Sequence, residues 1–457
     1  MSPASRAILA FGAVALALIG VGMGQSWSLA FAIVNLCLIS AIMALGLNIQ
    51  WGYAGLFNAG VMAFAALGGL AAVLVSQPPV TAAWAAGGGM LAVSAVVLAA
   101  AIVAAVAVWR RMARSWRRTA VVSAICIAGF LVSRQIFEGA TGAIEAVDSA
   151  KTGYLGGLGL PIVVSWIVGG AFAAGVAWAI GHIALGLRSD YFAIATLGIS
   201  EIVIALLKNE DWLARGVKNV TGLSRPVPYE ADLQTSENFT AAVSWWNADR
   251  LAAIPDAEAR QAALANLIID ASTMAVKLSY TALFLAVLLF ILACSVRALN
   301  SPWGRMMRAI RDNEVAAGAM GKDVTFRHRQ IFILGCAVIG IAGAMLTTLD
   351  GQFTPGSYNP LRFTFLIWVM VIVGGSGNNL GAVLGGFLIW FTWVEAEPLA
   401  LWAVGGITQF LEPGSPLRAH LIDAAPHMRL LVMGLVLLLV LRFSPRGILP
   451  EYSRPPR

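Results

Sequence analysis

Arg305, Arg308 and Arg311 recur at every third residue of SPWGRMMRAIRDNEVAAGAMG (301–321), with Asp312 and Glu314 close behind, in a chain of which only 12% is charged. Three residues is close to one helical turn, so the guanidinium groups fall along one face of a short polar helix. Ser301 followed by Pro302 suits the start of that helix. Gly321 suits its end in a left-handed conformation. Met306, Ala309 and Ile310 are expected to face the apolar part of the protein. The chemistry on offer is recognition: polar docking from Arg305, Arg308, Arg311 and Glu314, with close approach over Ala316, Ala317 and Gly321. An ordinary solvated loop helix has the same composition.

A second polar group interrupts an apolar background at 45–60, where Asn48, Gln50, Tyr53 and Asn58 stand among Gly52, Gly55 and Gly60. Unwound glycine-rich backbone at membrane depth is tolerated only where it lines a cavity or is covered by protein. These four side chains are therefore candidates for the path of a polar solute. Glu201, inside YFAIATLGISEIVIALL, is the fifth. A carboxylate there costs about 2.5–3.5 kcal/mol on insertion scales, so it is expected to be paired or to face water. A helix–helix bond, to His182 or to a partner subunit, is the structural alternative. The glycines Gly374, Gly375, Gly377, Gly381, Gly385 and Gly386 read as close-packing sites.

Catalytic groups are sparse. The four histidines (His182, His328, His420, His427) are scattered, and His420 and His427, with Asp423 between them, make only a weak metal candidate, so no metal site is assigned. Cys37, Cys126, Cys294 and Cys336 fall in apolar segments without disulfide or metal spacing, which points to packing. The nearest approach to a phosphate-binding Gly-x-x-x-x-Gly-Lys-Ser/Thr loop ends at Gly321-Lys322-Asp323. It has Ala316 for the first glycine and no hydroxyl for magnesium. The chain is not expected to be an ATPase or another enzyme, and no cofactor is expected on it.

These residues must be positioned by membrane helices. The chain is 59% hydrophobic, and apolar runs long enough to cross a bilayer recur along it. The fold class is all-α, a polytopic membrane protein with about 10–12 transmembrane helices, some short, broken or re-entrant. Spans are expected at 7–24, 28–46, 54–76, 82–108, 119–133, 160–187, 190–207, 275–297, 330–349, 363–375, 380–394 and 428–443. The first is read as an uncleaved span rather than a signal peptide. The segments 54–76, 190–207 and 363–394 are the ones expected to be tilted, broken or re-entrant.

WRRMARSWRR (109–118) carries five arginines and no acid, and 297–329 carries seven Lys/Arg against three acids. Both should be cytoplasmic. The 208–274 segment, with nine acids and six bases, and 395–427, with four acids and one arginine, belong outside. Twelve crossings put both termini inside. The net charge of +7 comes from basic clusters between spans, of which 109–118 also suits contact with lipid headgroups, and no nucleic acid is expected. The expected organisation is N-terminal membrane helices at 1–207 and an extracytoplasmic linker or cap at 208–274. C-terminal membrane helices at 275–450 follow, including a cytoplasmic loop at 298–328, and then a cytoplasmic tail at 451–457.

The 301–321 stretch resembles the coupling loop of ATP-binding-cassette importer permeases, whose motif runs Glu-Ala-Ala, three residues, then Gly. Ala316-Ala317 and Gly321 keep that spacing, with Glu314 displaced by one position. SPWGRMMRAIRDNEVAAGAMGKDV is similar to the high-affinity branched-chain amino-acid permease family, of the LivM type. So are LGLNIQWGYAGLFNAGVMAFAALGG (45–69), LRSDYFAIATLGISEIV (187–203), FTPGSYNPLRF, VMVIVGGSGNNLGAVLGG and FSPRGILPE, in order. The resemblance covers about 30–75, 185–225 and 277–451 and is poor over 77–160 and 226–275.

It implies a permease subunit without its own ATPase site, in a bacterial inner membrane, translocating branched-chain or related amino acids. It also implies a homologous second permease subunit, two ATPase subunits that carry the ATP and Mg, and an extracytoplasmic solute-binding protein. The same fold with another small polar cargo, such as urea or amides, is the nearest alternative. An ion-coupled secondary transporter using Glu201 and a membrane enzyme are alternatives of other classes.

Overall fold

The computed structural model describes residues 3–148, 152–410 and 415–451. Among the described residues, twelve apolar helices build the protein. In chain order they and the two short helices at 302–312 and 314–319 are α1 (Pro3–Gly24), α2 (Trp27–Ala54), α3 (Val61–Ser76), α4 (Thr81–Arg111), α5 (Trp116–Glu145), α6 (Ile162–Ala184) and α7 (Ser189–Asn209), then α8 (Ala257–Asn300), α9 (Pro302–Asp312), α10 (Glu314–Ala319), α11 (Val324–Asp350), α12 (Pro360–Gly374), α13 (Asn379–Ile407) and α14 (Met428–Phe443). Ten helices among the described residues are long and apolar enough to cross a membrane, and α3 and α12 are shorter apolar helices. The protein is an all-α, multi-pass membrane protein.

At 16 and 15 residues, α3 and α12 are about 24 and 22 Å long, short of a hydrocarbon core of about 30 Å. Their loose backbone ends survive because protein covers them: all but one residue of α3 is buried. The short helices expected at 54–76 and 363–394 are both found, although α13 runs well past 394. At 190–207, α7 is one unbroken helix. Its window holds no glycine–proline break, and Thr196 bonds back to the Ala193 carbonyl (2.9 Å) without interrupting it.

Three expected boundaries also move. α2 stays helical through Ala54, well past 46, because Gly52 and the polar residues around it are packed rather than unwound. α8 starts at Ala257, where Asp256 accepts from the Glu258 and Ala259 amides (3.4 and 3.2 Å), and runs through residue 274 without a break. α13 continues to Ile407 and so absorbs two acids expected in an outer loop. Glu395 is buried and accepts from Gln25 Nε2 (2.9 Å), and Glu397 pairs with Arg429.

The core is a cluster of α2, α3, α6 and α11, with α8, α12 and α13 around it. Helices come close where glycines face backbone; a side chain at Gly385 would run into the Met370 carbonyl, which binds α13 to α12. This is the close packing expected of the 374–386 glycines. The α4–α5 hairpin is peripheral. Its helices are joined by reciprocal Ser94–Ser133 hydroxyl bonds (2.8–3.0 Å) and are otherwise largely exposed, as lipid-facing helices are. Cys126 and Cys294 share that exposure, whereas Cys37 and Cys336 are packed in the interior.

On the face opposite α9–α10, strand β1 (Val220–Thr221) pairs antiparallel with β2 (Gln352–Phe353), in register Val220↔Phe353 and Thr221↔Gln352. The 208–256 segment is otherwise a string of short helices.

Candidate functional site

The polar stretch 301–321 is two helices rather than one. Asn313 is extended (φ −156°, ψ 96°), and its side chain accepts from the Ala316 amide (2.9 Å), which caps a new helix and so ends the old one. Gly321 closes α10 at φ +78°, a conformation that costs a residue with a side chain dearly. In α9 the buried stripe is Gly304, Met307 and Ile310. The expected Met306 is only partly buried and Ala309 is exposed. The reason lies at Gly304, where a side chain would strike the Leu299 backbone; its absence lets the first turn settle inwards and rotates Met307 into the core.

Arg305 is exposed and Arg308 reaches the Leu299 carbonyl (3.4 Å). Arg311 is directed inwards. It donates to the Gly52 carbonyl in the last turn of α2, to Asp312 (3.0 Å) and to Glu451 (2.9 Å). Burial works against its charge, but the hydrogen bonds and charge of Glu451 and Asp312 outweigh this and raise its pKa further. Arg308 thus holds α9 to the end of the helix before it, α8, whereas Arg311 ties α9 to α2, a membrane helix distant in sequence.

α10 is bare. Glu314, Ala316 and Gly321 are exposed, and Ala317 alone leans on the core. Val315 and Met320, which the arginine spacing does not single out, are 83% and 80% exposed. Two large apolar side chains on a charged turn project away from their own chain, and such side chains are the usual anchors of an interface. Their type is visible in the sequence, but their exposure depends on the break at Asn313.

The group at 48–58 forms an internal knot. Asn48 donates to Asn379 Oδ1 (3.1 Å) and accepts from the Gly377 amide (2.9 Å), fastening α2 to the α12–α13 turn. Gln50 donates to Cys336 (3.3 Å) and to the Phe332 carbonyl (3.4 Å) on α11, and accepts from Asn58 (2.9 Å). Asn58 in turn accepts from the Gly60 amide (2.8 Å), and its carbonyl from Trp368 Nε1 (3.0 Å). Asn48, Gln50 and Asn58 are fully buried and Tyr53 nearly so. Asn48, Gln50 and Tyr53 lie on helix rather than on unwound backbone. Only the 55–60 link is unwound, starting from Gly55 at φ +72°; Leu56, Asn58 and Gly60 are buried in it, whereas Gly55 and Phe57 are exposed.

Two cavities lie at opposite ends of this knot. The one beside α9–α10, called inner because that loop is expected to be cytoplasmic, is about 160 Å³ and is bounded by the 54–57 link, Phe192, Arg311, Glu314 and His328. The outer one, about 230 Å³, holds Asp350, Thr354 and Trp390. None of Asn48, Gln50, Tyr53 and Asn58 lines either.

Thr196 of α7 receives the Ala59 amide (3.0 Å) and so faces inwards. Glu201, five residues on, sits roughly 140° around the helix and is exposed about 18 Å from its start, near mid-membrane. Of the two structural alternatives, the pairing with His182 does not form within this chain; that ring lies against Trp178, at 5.5 Å. Among the described residues no group of three His, Cys, Asp or Glu gathers at a point.

Residues 139–441 match the model of the family described as branched-chain amino acid transport system / permease component. The 45–69 stretch lies outside that match. The high-affinity branched-chain amino acid transport permease protein LivM of Escherichia coli is 28% identical over 252 residues, 54% of this chain and 53% of that protein. LivM of Salmonella typhimurium is 27% identical over 48% of this chain and 47% of its own length. A probable LivM of Methanocaldococcus jannaschii is 27% identical over 38% and 46%. The chain spans about half the length of the curated relatives it matches. No solved structure gives a significant match. The family match runs from the end of α5 to the last turns of α14 and takes in the α9–α10 pair, and the chain belongs to the branched-chain amino acid transport permease family.

Proposed function

We propose that this chain is a membrane-spanning permease subunit of an ATP-binding-cassette importer in the bacterial inner membrane, carrying branched-chain or related amino acids inwards. The observation that supports this best is the form of α9–α10. One helix presents Val315, Met320 and Glu314 to solvent, while its neighbour is bolted through Arg311 to α2. A partner that grips α10 can move α2 and, through Asn48, the α12–α13 turn. A nucleotide-hydrolysing subunit fits this surface, and it brings the ATP and Mg. Glu201 supports a second permease subunit, because a mid-membrane carboxylate left exposed on one chain calls for a partner helix or a water-lined seam. A solute-binding protein would meet the opposite face, where β1–β2 lies.

Sidedness is the test. A membrane-impermeant maleimide is expected to modify Ala316→Cys in inside-out vesicles and not in right-side-out ones, with the wild-type chain as background for Cys126 and Cys294. Modification from the outer side in right-side-out vesicles contradicts the reading.

A further inference from the structure

The outer cavity contains polar chemistry that its own chain leaves unanswered. Asp350 is the last residue of α11, exposed into the cavity, and among the described residues its carboxylate has neither a hydrogen bond nor an ion pair. A helix C-terminus already carries partial negative charge, so an anion placed there is stabilised chiefly by a cation. Thr354 Oγ1 and Trp390 Nε1 are buried in the same walls without a partner. An indole N–H left unpaired calls for an acceptor. The remaining wall is largely apolar and includes Met43, Met62 and Met370, whose flexible thioethers fit aliphatic groups of varied shape. The β1–β2 pairing and the Leu223 amide on the Gly351 carbonyl (3.2 Å) fix the 351–354 turn over this space. At about 230 Å³ the cavity is smaller than the ~300 Å³ lower end of drug-sized pockets, so it suits a small solute.

We propose that this cavity recognises a small solute bearing a cationic amine on a compact apolar body, with Asp350 as counter-ion and Trp390 and Thr354 serving an acceptor on the same solute. The site rests on the permease reading for the direction of travel. It discriminates: an aliphatic acid without an amine, or a neutral amide such as urea, loses the Asp350 pairing.

The full chain in lipid nanodiscs is melted with 3-methylbutylamine, 4-methylpentanoate, urea or L-leucine, since a bound ligand raises the midpoint by mass action. The amine and leucine are expected to stabilise the wild type, and the acid and urea are not. Asp350→Asn weakens the amine about tenfold or more, whereas Asp350→Glu retains it. Trp390→Phe weakens leucine and leaves the amine unchanged, so the site stays testable should one variant fail to fold. Equal binding of 4-methylpentanoate and the amine, indifference of both ligands to both variants, or no shift with any ligand overturns the site. The assay contains no ATPase. Failure here with ATP-driven uptake intact removes the recognition site alone, and amine binding without ATP-dependent uptake removes the importer reading alone.

Discussion

Val315→Asp combined with Met320→Asp is expected to reduce ATP-driven uptake at least about thirtyfold while the chain still inserts and folds. Both side chains are more than three-quarters exposed, so little packing within the chain is lost. What changes is the proposed docking surface. An apolar anchor at the centre of an interface is worth about 2 kcal/mol or more, and a carboxylate buried there unpaired adds its own desolvation cost. Glu314→Ala and Gly321→Val act on the same surface, the second through the left-handed backbone at φ +78°. Uptake and copurification of the ATPase, measured together, check the prediction. Normal uptake in the double variant would mean that α10 is an ordinary solvated turn.

Arg311→Ala is expected to uncouple rather than to undock. The partner still finds α10, but its movement no longer reaches α2. Severity should follow the bonds removed. Arg311→Ala loses the Gly52 carbonyl, Asp312 and Glu451 together and brings uptake to background with hydrolysis continuing. Arg311→Lys keeps a charge but not the fork that serves three acceptors, and is intermediate. Glu451→Gln loses one partly exposed ion pair, worth about 1 kcal/mol or less after solvent screening, and is mild. Comparison of hydrolysis with uptake in the assembled complex checks this order. Glu451→Gln as severe as Arg311→Ala, or full uptake with Arg311→Lys, contradicts it.

The fold is legible in the sequence where local chemistry decides it. Apolar run length gives the spans, and α14 falls where the sequence places it, at 428–443. Pro302 and Gly321 mark the outer limits of α9–α10 because each forces its own backbone. The break at Asn313 is not legible in the arginine spacing, since it rests on one local side-chain bond, from the Ala316 amide to Asn313 (2.9 Å). Arg311 has the same type and spacing as Arg305 and Arg308. It differs because Glu451 and Gly52, distant in sequence, lie beneath it. Asn48, Gln50 and Asn58 are recognisable as misfits in an apolar stretch, but their partners on α11, α12 and α13 are set by packing. Asp350 ends a span in an unremarkable way. Its neighbours in the cavity come from α2, α3, α12 and α13 and from the turn that the β1–β2 pairing fixes, all distant in sequence or set by packing.

The most direct measurement is solute accumulation in proteoliposomes containing this chain, with and without the ATPase and ATP on the α9–α10 face. Labelled leucine should rise above its external concentration only when the second permease subunit, the ATPase and ATP are all present. Accumulation by this chain alone on a proton or sodium gradient would show that it powers itself, and would contradict the coupling role of α9–α10.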